Sequence, residues 1–292
     1  MATHTADKYY VPHDSPWPIY GSVALFTMML GVCGWLNEWY GPWMFAIGLL
    51  MVVGLFIGWF SVVIAENQQG MYNMQVDKSF RMGMMWFIFS EVMFFAAFFG
   101  ALFYARQLSV PWIGGEGVKI FNNLLLWNGF ENAWPTNGPA KLSPREDGTY
   151  ETVPALGLPA INTAILLLSG VTLTIAHHAL KEGKRGTLNL YLAATFLLGF
   201  IFVGLQAWEY VHAYEVLGLQ MSTGIYGSTF YMLTGFHGFH VTIGAIMLVC
   251  IWLRTMKGHF TPQRHFAFEA VAWYWHFVDV VWLGLYVFVY WL

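Results

Sequence analysis

The stretch WFIFSEVMFF, from Trp86 to Phe95, places one glutamate, Glu91, among nine uncharged and mostly apolar residues. The apolar run continues on both sides, over residues 80–106, and is long enough to cross the roughly 30 Å hydrocarbon core of a bilayer. An ionised carboxylate in hydrocarbon costs several kcal/mol. The pattern therefore predicts a membrane-spanning helix with a protonated or hydrogen-bonded acid near its centre.

Composition extends this interpretation to the whole chain of 292 residues. Hydrophobic residues make up 58% of it and charged residues 10%, whereas soluble proteins average about 25% charged residues. We predict an all-α, polytopic membrane protein with seven transmembrane helices. The predicted spans are 18–37, 43–65, 80–106, 156–180, 188–212, 226–253 and 266–291. A segment at 1–17 precedes them, a polar connection is predicted at 66–79, and the one long loop is predicted at 107–155.

The distribution of lysine and arginine predicts the orientation of the chain. Nine of these residues flank the side on which the N-terminus lies, and four lie in or beside the long loop on the other side. Short cytoplasmic loops carry the positive excess in membrane proteins. We therefore expect a cytoplasmic N-terminus, with residues 1–17 in the cytoplasm, and a C-terminus on the outer side.

Five ionisable residues are predicted at about the same depth, near the middle of three spans. These are Glu91, His237, His240, His276 and Asp279. Each of the pairs 237/240 and 276/279 is spaced i,i+3 and so shares one helix face. We expect this midplane polar cluster to be satisfied mutually or by backbone carbonyls. It could serve helix packing or a proton or ligand pathway. His237, His240 and His276 could alternatively hold a metal ion. Hydrogen bonding to nearby carboxylates explains the same spacing of histidines equally well.

A second set of polar and aromatic residues is expected near the cytoplasmic surface, where basic pockets suit phosphate headgroups. Basic residues in this set are explained equally well as topology signals. The members of the set are Trp59, Glu66, Arg81, His177, His178, Arg254, Lys257, His259, Arg264 and His265.

The sequence offers no pattern for a catalytic or redox centre. Cys33 and Cys250 lie far apart, so no CxxC motif or thiolate copper site is readable. The phosphate-loop, dinucleotide-binding and HExxH zinc motifs are also missing from it. We expect no catalytic residues, no metal ligands and no nucleic-acid partner.

Several motifs carry a resemblance to a known family. They are SPWPIYGS (15–22), RMGMMWFIFSEVMFF (81–95), SGVTLTIAHHAL (169–180), GIYGSTFYMLTGFHGFHVTIGAIML (224–248) and HFAFEAVAWYWHFVDVVWLGLYVFVYW (265–291). Together they closely resemble subunit III of A-type haem-copper cytochrome c oxidase, in particular the bacterial relatives of the mitochondrial subunit.

This resemblance implies a two-helix bundle at 18–65 and a five-helix bundle at 80–292 around a cleft that holds phospholipids. It implies a non-redox subunit that binds the catalytic subunit I directly, within a complex that also contains subunit II. Haem and copper would belong to those partner subunits. The expected role is to support proton uptake and the stability of a proton-pumping complex in aerobic respiration. The expected location is the bacterial inner membrane, with a periplasmic C-terminus, or the mitochondrial inner membrane in relatives.

The resemblance also implies roles for individual residues. Glu91 matches the family's buried carboxylate, and five residues match positions that contact lipid. The lipid-binding residues would be Trp59, Glu66, Arg81, Arg254 and His259.

Two other functions remain open at the level of sequence. The first is subunit III of a quinol oxidase, although such relatives typically lack the first two helices, which are present here. The second is an independent proton-coupled transporter that uses the midplane residues. We find no pair of interrupted helices that would support a transporter.

Overall fold

A computed structural model describes residues 9–12 and 14–292 of the chain. This part contains eight α-helices and no named β-strand. They are α1 (Trp17–Leu36), α2 (Trp43–Gln68), α3 (Met74–Tyr104), α4 (Val110–Ile113), α5 (Leu158–Lys181), α6 (Arg185–Glu215), α7 (Gly224–Met256) and α8 (Phe266–Leu285). Seven helical segments among the described residues are long and apolar enough to cross a membrane. The predicted all-α fold with seven spans is confirmed. Residues 1–8 and 13 of the predicted N-terminal segment lie outside the described part.

The third span is longer than the sequence predicted. It runs from Met74 to Ile113, because a π-helical turn at Ala105–Ser109 joins α3 to α4. At its start, the side chain of Asn73 accepts a hydrogen bond from the amide of Val76 at 2.9 Å, which satisfies a helix N-terminal donor. Polar residues continue the helix beyond the apolar run, so the connection between α2 and α3 is 69–73 rather than 66–79.

The long loop between α4 and α5 covers residues 114–157 and contains two short helical turns, Gly117–Lys119 and Asn122–Leu126. It is fastened to the end of α6. The Arg145 Nη2 donates to the carbonyl of Val216 at 2.6 Å, and the amide of Glu151 donates to the carbonyl of Leu217 at 2.9 Å. A loop tied in this way by one side chain and one backbone amide holds a defined path.

The chain divides into two compact units, of which the first extends to Met82 and the second covers Gly83–Leu292. In the first unit, α1 and α2 pack at glycines. A Cβ atom added at Gly48 would lie 2.4 Å from the Cα of Met28, and one at Gly31 would lie 2.3 Å from the amide nitrogen of Phe45. Glycine therefore permits backbone-to-backbone approach here, as small residues do between membrane helices.

In the second unit, α5, α6, α7 and α8 form a closed ring in which each helix packs against the next and α8 packs against α5. The largest fully buried side chains are Trp275 and Trp282 of α8. Their indole nitrogens donate to Ser169 Oγ at 2.9 Å and to Thr163 Oγ1 at 2.8 Å, both on α5. Each buried indole thus has a partner for its N–H group, as buried polar groups require.

From Gly83 onward, α3 joins this ring through aromatic side chains. Phe94 and Phe98 contact Phe236 of α7, with ring centroids 5.0 and 5.2 Å apart. Phe95 contacts Phe277 of α8 at 6.1 Å. These contacts fix the side of α3 that faces the ring, and Glu91 lies one turn before Phe95 on that side.

Candidate functional site

Glu91 on α3 is joined to His240 on α7. The Glu91 Oε2 and the His240 Nε2 are 2.8 Å apart, and the two side chains are 21% and 11% exposed. Two residues separated by 149 positions in sequence are therefore paired in the middle of the membrane-spanning helices. This pairing supplies the partner that an acid in hydrocarbon requires.

The second nitrogen of His240 determines how many protons the pair holds. His240 Nδ1 lies 2.6 Å from the carbonyl oxygen of Phe236. A carbonyl only accepts hydrogen bonds, so Nδ1 carries a hydrogen. A further proton must then lie between Nε2 and the Glu91 carboxyl. The pair is either a neutral acid with a neutral imidazole or a carboxylate with an imidazolium, and its net charge is zero in both arrangements.

Aromatic rings surround the imidazole of His240. The ring of Phe95 lies 5.0 Å away, Phe94 lies 5.9 Å away, and Tyr274 of α8 is stacked at 6.3 Å, measured between ring centroids. These rings pack around the imidazole and hold its plane, in which both ring nitrogens form their hydrogen bonds. The geometry therefore leaves the Glu91 carboxyl and the Phe236 carbonyl as its polar contacts within the described residues.

His237, one turn earlier on α7, faces a different neighbour. Its Nε2 donates to the carbonyl of Val278 on α8 at 3.1 Å, and its ring packs beside Trp282 at 5.1 Å. The residue is fully buried. The Nε2 atoms of His237 and His240 thus face separate partners on α8 and α3 and do not converge on one point. His237 Nδ1 is buried and has no hydrogen-bond partner among the described residues.

His276 and Asp279 lie against α5. A Cβ atom added at Gly170 of α5 would be 3.0 Å from Asp279 Oδ2 and 3.6 Å from His276 Nδ1. Asp279 Oδ1 is buried and has no hydrogen-bond partner among the described residues. The five residues predicted as one midplane cluster therefore face three directions, with Glu91 and His240 forming the direct pair.

Three of the residues predicted to bind lipid lie in the first unit. Glu66 accepts hydrogen bonds from Tyr10 at 2.9 Å and from Tyr72 at 2.6 Å. Burial and the bond to Glu66 raise the pKa of Tyr72, and the bond to Glu66 is the main cause that raises the pKa of Tyr10. Arg81 donates to Asp77 at 2.7 Å, one turn earlier on α3, and Trp59 is 42% exposed.

The other two predicted lipid-binding residues lie in the second unit. The guanidinium of Arg254 sits over the ring of Phe260, 4.5 Å from its centroid, a cation–π contact. Arg254 Nε is buried without a hydrogen-bond partner among the described residues. Burial, together with the positive charges of Arg254 and Lys257, lowers the pKa of His259.

Comparison with known proteins identifies the family. The chain matches the family described as Cytochrome c oxidase subunit III over residues 7–124 and 132–292. The chain belongs to the cytochrome c oxidase subunit III family. Curated relatives include the cytochrome c oxidase subunit 3 proteins of Carassius auratus (40% identical over 289 residues), Danio rerio (41% over 289) and Mus musculus (41% over 290). Each alignment covers 99% of this chain and 98% of the relative.

Membership in the cytochrome c oxidase subunit III family makes this chain a multi-pass membrane protein of a respiratory oxidase complex that includes other subunits. Two tyrosines, Tyr10 and Tyr72, contribute to the surroundings of Glu66 in this family member but carried no signal in the sequence. Both lie outside the helices, where hydrophobic periodicity gives no information about which side chains meet.

Proposed function

We propose that this chain is a non-redox subunit of a cytochrome c oxidase that binds the catalytic subunit I directly and lies in one complex with subunit II. In this proposal it holds phospholipids and supports proton uptake and the stability of a proton-pumping complex in aerobic respiration. The observation that carries the proposal is the family match, since the relatives named cytochrome c oxidase subunit 3 align over 99% of the chain. Haem and copper would be held by the partner subunits.

The contacts of the midplane histidines support a role without redox chemistry. His237 donates to a backbone carbonyl, and His240 bonds to Phe236 and Glu91. An axial haem ligand needs an imidazole nitrogen that faces an open pocket, whereas the unpartnered Nδ1 of His237 is fully buried among side chains. The arrangement suits helix packing around a retained proton, which is the role we assign to Glu91.

An apolar face of α3 supports binding to a neighbouring subunit. Met85, Trp86, Phe89 and Met93 follow helical spacing and are each more than half exposed. Large aromatic and methionine side chains are enriched at the cores of protein interfaces. We assign this face to the contact with subunit I.

The charge distribution supports the proposed orientation. The connections 69–73, 182–184 and 257–265 and the helix ends beside them carry Lys78, Arg81, Lys181, Lys184, Arg185, Arg254, Lys257 and Arg264. The two short connections on the opposite side, 37–42 and 216–223, have no lysine or arginine. This asymmetry favours a cytoplasmic N-terminus and a periplasmic C-terminus in a bacterial inner membrane.

Affinity capture of the chain from detergent-solubilised membranes tests the proposed function. We expect a haem-bearing polypeptide to co-purify with it in stoichiometric amount, together with a subunit that has a thiolate copper site. A haem-bearing partner without that copper subunit would instead indicate a quinol oxidase. Recovery of the chain alone, with proton-coupled transport after reconstitution into liposomes, would contradict the proposal and indicate a transporter.

Replacing Arg254 with glutamine is expected to lower the phospholipid content of the purified complex. Hydrogen bonds to a charged group contribute about 1.5–3 kcal/mol, so retention of one phospholipid should weaken roughly 10- to 100-fold. Lipid mass spectrometry of the purified complex gives the stoichiometry. Lys257→Gln is the matched control, because Lys257 is exposed and lies less than one turn away. Equal lipid content in wild type and both variants would rule out Arg254 as a headgroup ligand.

A further inference from the structure

Three side chains at the junction of α5 and α8 bring possible metal-ligand atoms together. His177 is in the last two turns of α5, His265 precedes α8, and Glu269 is in the first turn of α8. One ligand atom from each lies within 4.8 Å of the other two. The Glu269 Oε1 is 3.2 Å from His265 Nε2 and 3.7 Å from His177 Nε2. None of the three takes part in the Glu91–His240 pair.

The imidazole of His265 is held as that of a metal ligand would be. His265 Nδ1 donates to the carbonyl of Thr261 at 3.1 Å, which leaves the lone pair of a neutral ring on Nε2. A metal-ligating histidine typically makes this kind of outer bond to a backbone carbonyl. The Nε2 atoms of His177 and His265 are both buried and have no hydrogen-bond partner among the described residues.

The spacing fits a small divalent cation. Zinc bonds to imidazole nitrogen and carboxylate oxygen are about 2.0–2.2 Å long, so two ligand atoms of a tetrahedral site lie roughly 3.3–3.5 Å apart. The two observed nitrogen-to-oxygen distances, 3.2 and 3.7 Å, lie on either side of this value. A cation between these atoms would give both buried nitrogens a partner.

We propose that His177, His265 and Glu269 form a binding site for a divalent transition-metal ion of the zinc type. The donor set of two imidazoles and one carboxylate is one that zinc uses when a fourth position stays open to water. The side chains of His177 and Glu269 are 24% and 15% exposed, so the site lies next to the protein surface, from which water could supply the fourth ligand. Lys181, one turn beyond His177, is exposed, and its positive charge opposes a cation at the site, a repulsion that the exposure of Lys181 reduces and the three ligand bonds must exceed.

This site goes beyond the proposed function, and it differs from the expectation of a chain without metal ligands. Its three ligands come from the end of α5 and the start of α8, so a bound ion would join two helices that are far apart in sequence. The sequence indicated His177 and His265 as surface residues but missed Glu269. The spacing of His265 and Glu269, four residues apart at a helix start, was the available signal, because such residues share one helix face.

Zinc binding to the purified oxidase complex tests the site. Complexes that contain wild-type chain, His177→Ala or Glu269→Gln are treated with a chelator and then dialysed against radioactive zinc. Changes to an outer-shell residue weaken metal binding 10- to 100-fold, and loss of a direct ligand should weaken it at least roughly 100-fold. We expect the wild type to bind one zinc ion more tightly than either variant does. The control, His178→Ala, changes the adjacent exposed histidine and should bind zinc as the wild type does.

Sites on the partner subunits are the same in all four complexes, so the difference between them reports on this chain. Equal zinc binding by all four would overturn the proposal. A crystal of the wild-type complex soaked in zinc gives an answer that does not depend on variant folding. An anomalous peak between the three ligand atoms supports the site, and the lack of a peak there overturns it. This test is independent of the affinity capture described above. If no partner subunit co-purified with the chain, crystals of the full chain alone could be soaked in zinc in the same way.

Discussion

Replacing His240 with leucine is expected to destabilise the oxidase complex strongly, whereas Glu91→Gln should leave it nearly unchanged. Leucine removes the only side-chain partner of Glu91 found among the described residues and leaves an acid unpaired between helices. Breaking a buried pair in this way costs about 3–5 kcal/mol. Because the Glu91 side chain is 21% exposed, we expect about 2–4 kcal/mol here. Thermal unfolding of the solubilised complex measures this change.

Glutamine in place of Glu91 preserves the geometry of the pair. Its side-chain amide can donate to the lone pair of His240 Nε2, as a protonated carboxyl does, while Nδ1 still donates to Phe236. An ordinary hydrogen bond between membrane helices contributes about 0.6 kcal/mol on average, so the change should be below about 1 kcal/mol. His178→Leu, at an exposed histidine, controls for the loss of an imidazole.

Proton translocation separates a packing role from a transport role for Glu91. We expect Glu91→Gln to assemble, turn over and translocate protons at nearly the wild-type ratio. Complete loss of translocation by an intact, fully assembled complex would show that Glu91 carries protons instead.

The change Gly48→Ala is expected to disrupt the packing of α1 against α2, although it adds one methyl group. That methyl carbon would lie 2.4 Å from the backbone of Met28, where no rotamer change can relieve the contact. The helices would have to separate by about 1 Å, and overpacking of this kind costs about 1–3 kcal/mol. The yield of assembled complex and its melting temperature should both fall.

Gly204→Ala adds the same methyl group but is expected to raise the stability of the complex instead of lowering it. Gly204 is exposed in the middle of α6, and a Cβ atom there meets nothing within 4 Å. Alanine in place of glycine in a helix interior typically stabilises it by about 0.5–1 kcal/mol. If complexes with Gly48→Ala and Gly204→Ala had the same melting temperature, that result would contradict the close backbone contact described between α1 and α2.

The sequence predicted the number and type of the membrane spans, because an apolar run of about 20 residues has the length that a helix needs to cross a bilayer. The ends of the spans were harder to predict. α3 begins at Met74, six residues before the predicted start, and Asp77 and Arg81 form an ion pair on its first turns. Hydropathy records where hydrocarbon begins, whereas a capped helix with a pair of opposite charges can continue into the polar region.

The contacts of the predicted polar residues depended on which helices are neighbours. His237 and His240 share a face, but three residues turn a helix by about 300°, which leaves their side chains about 60° apart. That angle is enough for His240 to reach Glu91 on α3 while His237 reaches Val278 on α8. Helices that are apolar on all sides give no periodic signal for the order in which they pack.

The bond from His240 Nδ1 to the carbonyl of Phe236 has an electrical consequence. Because it fixes one hydrogen on Nδ1, a proton that moves between Glu91 and His240 reorients a dipole without changing the net charge of the pair. A transmembrane voltage acts on a whole charge with about 2.3 kcal/mol per 100 mV. A proton that moves only between Glu91 and His240 crosses a small part of the membrane, so the voltage changes its energy by a small fraction of that value. Energisation of the membrane should therefore leave this acid–base couple in place.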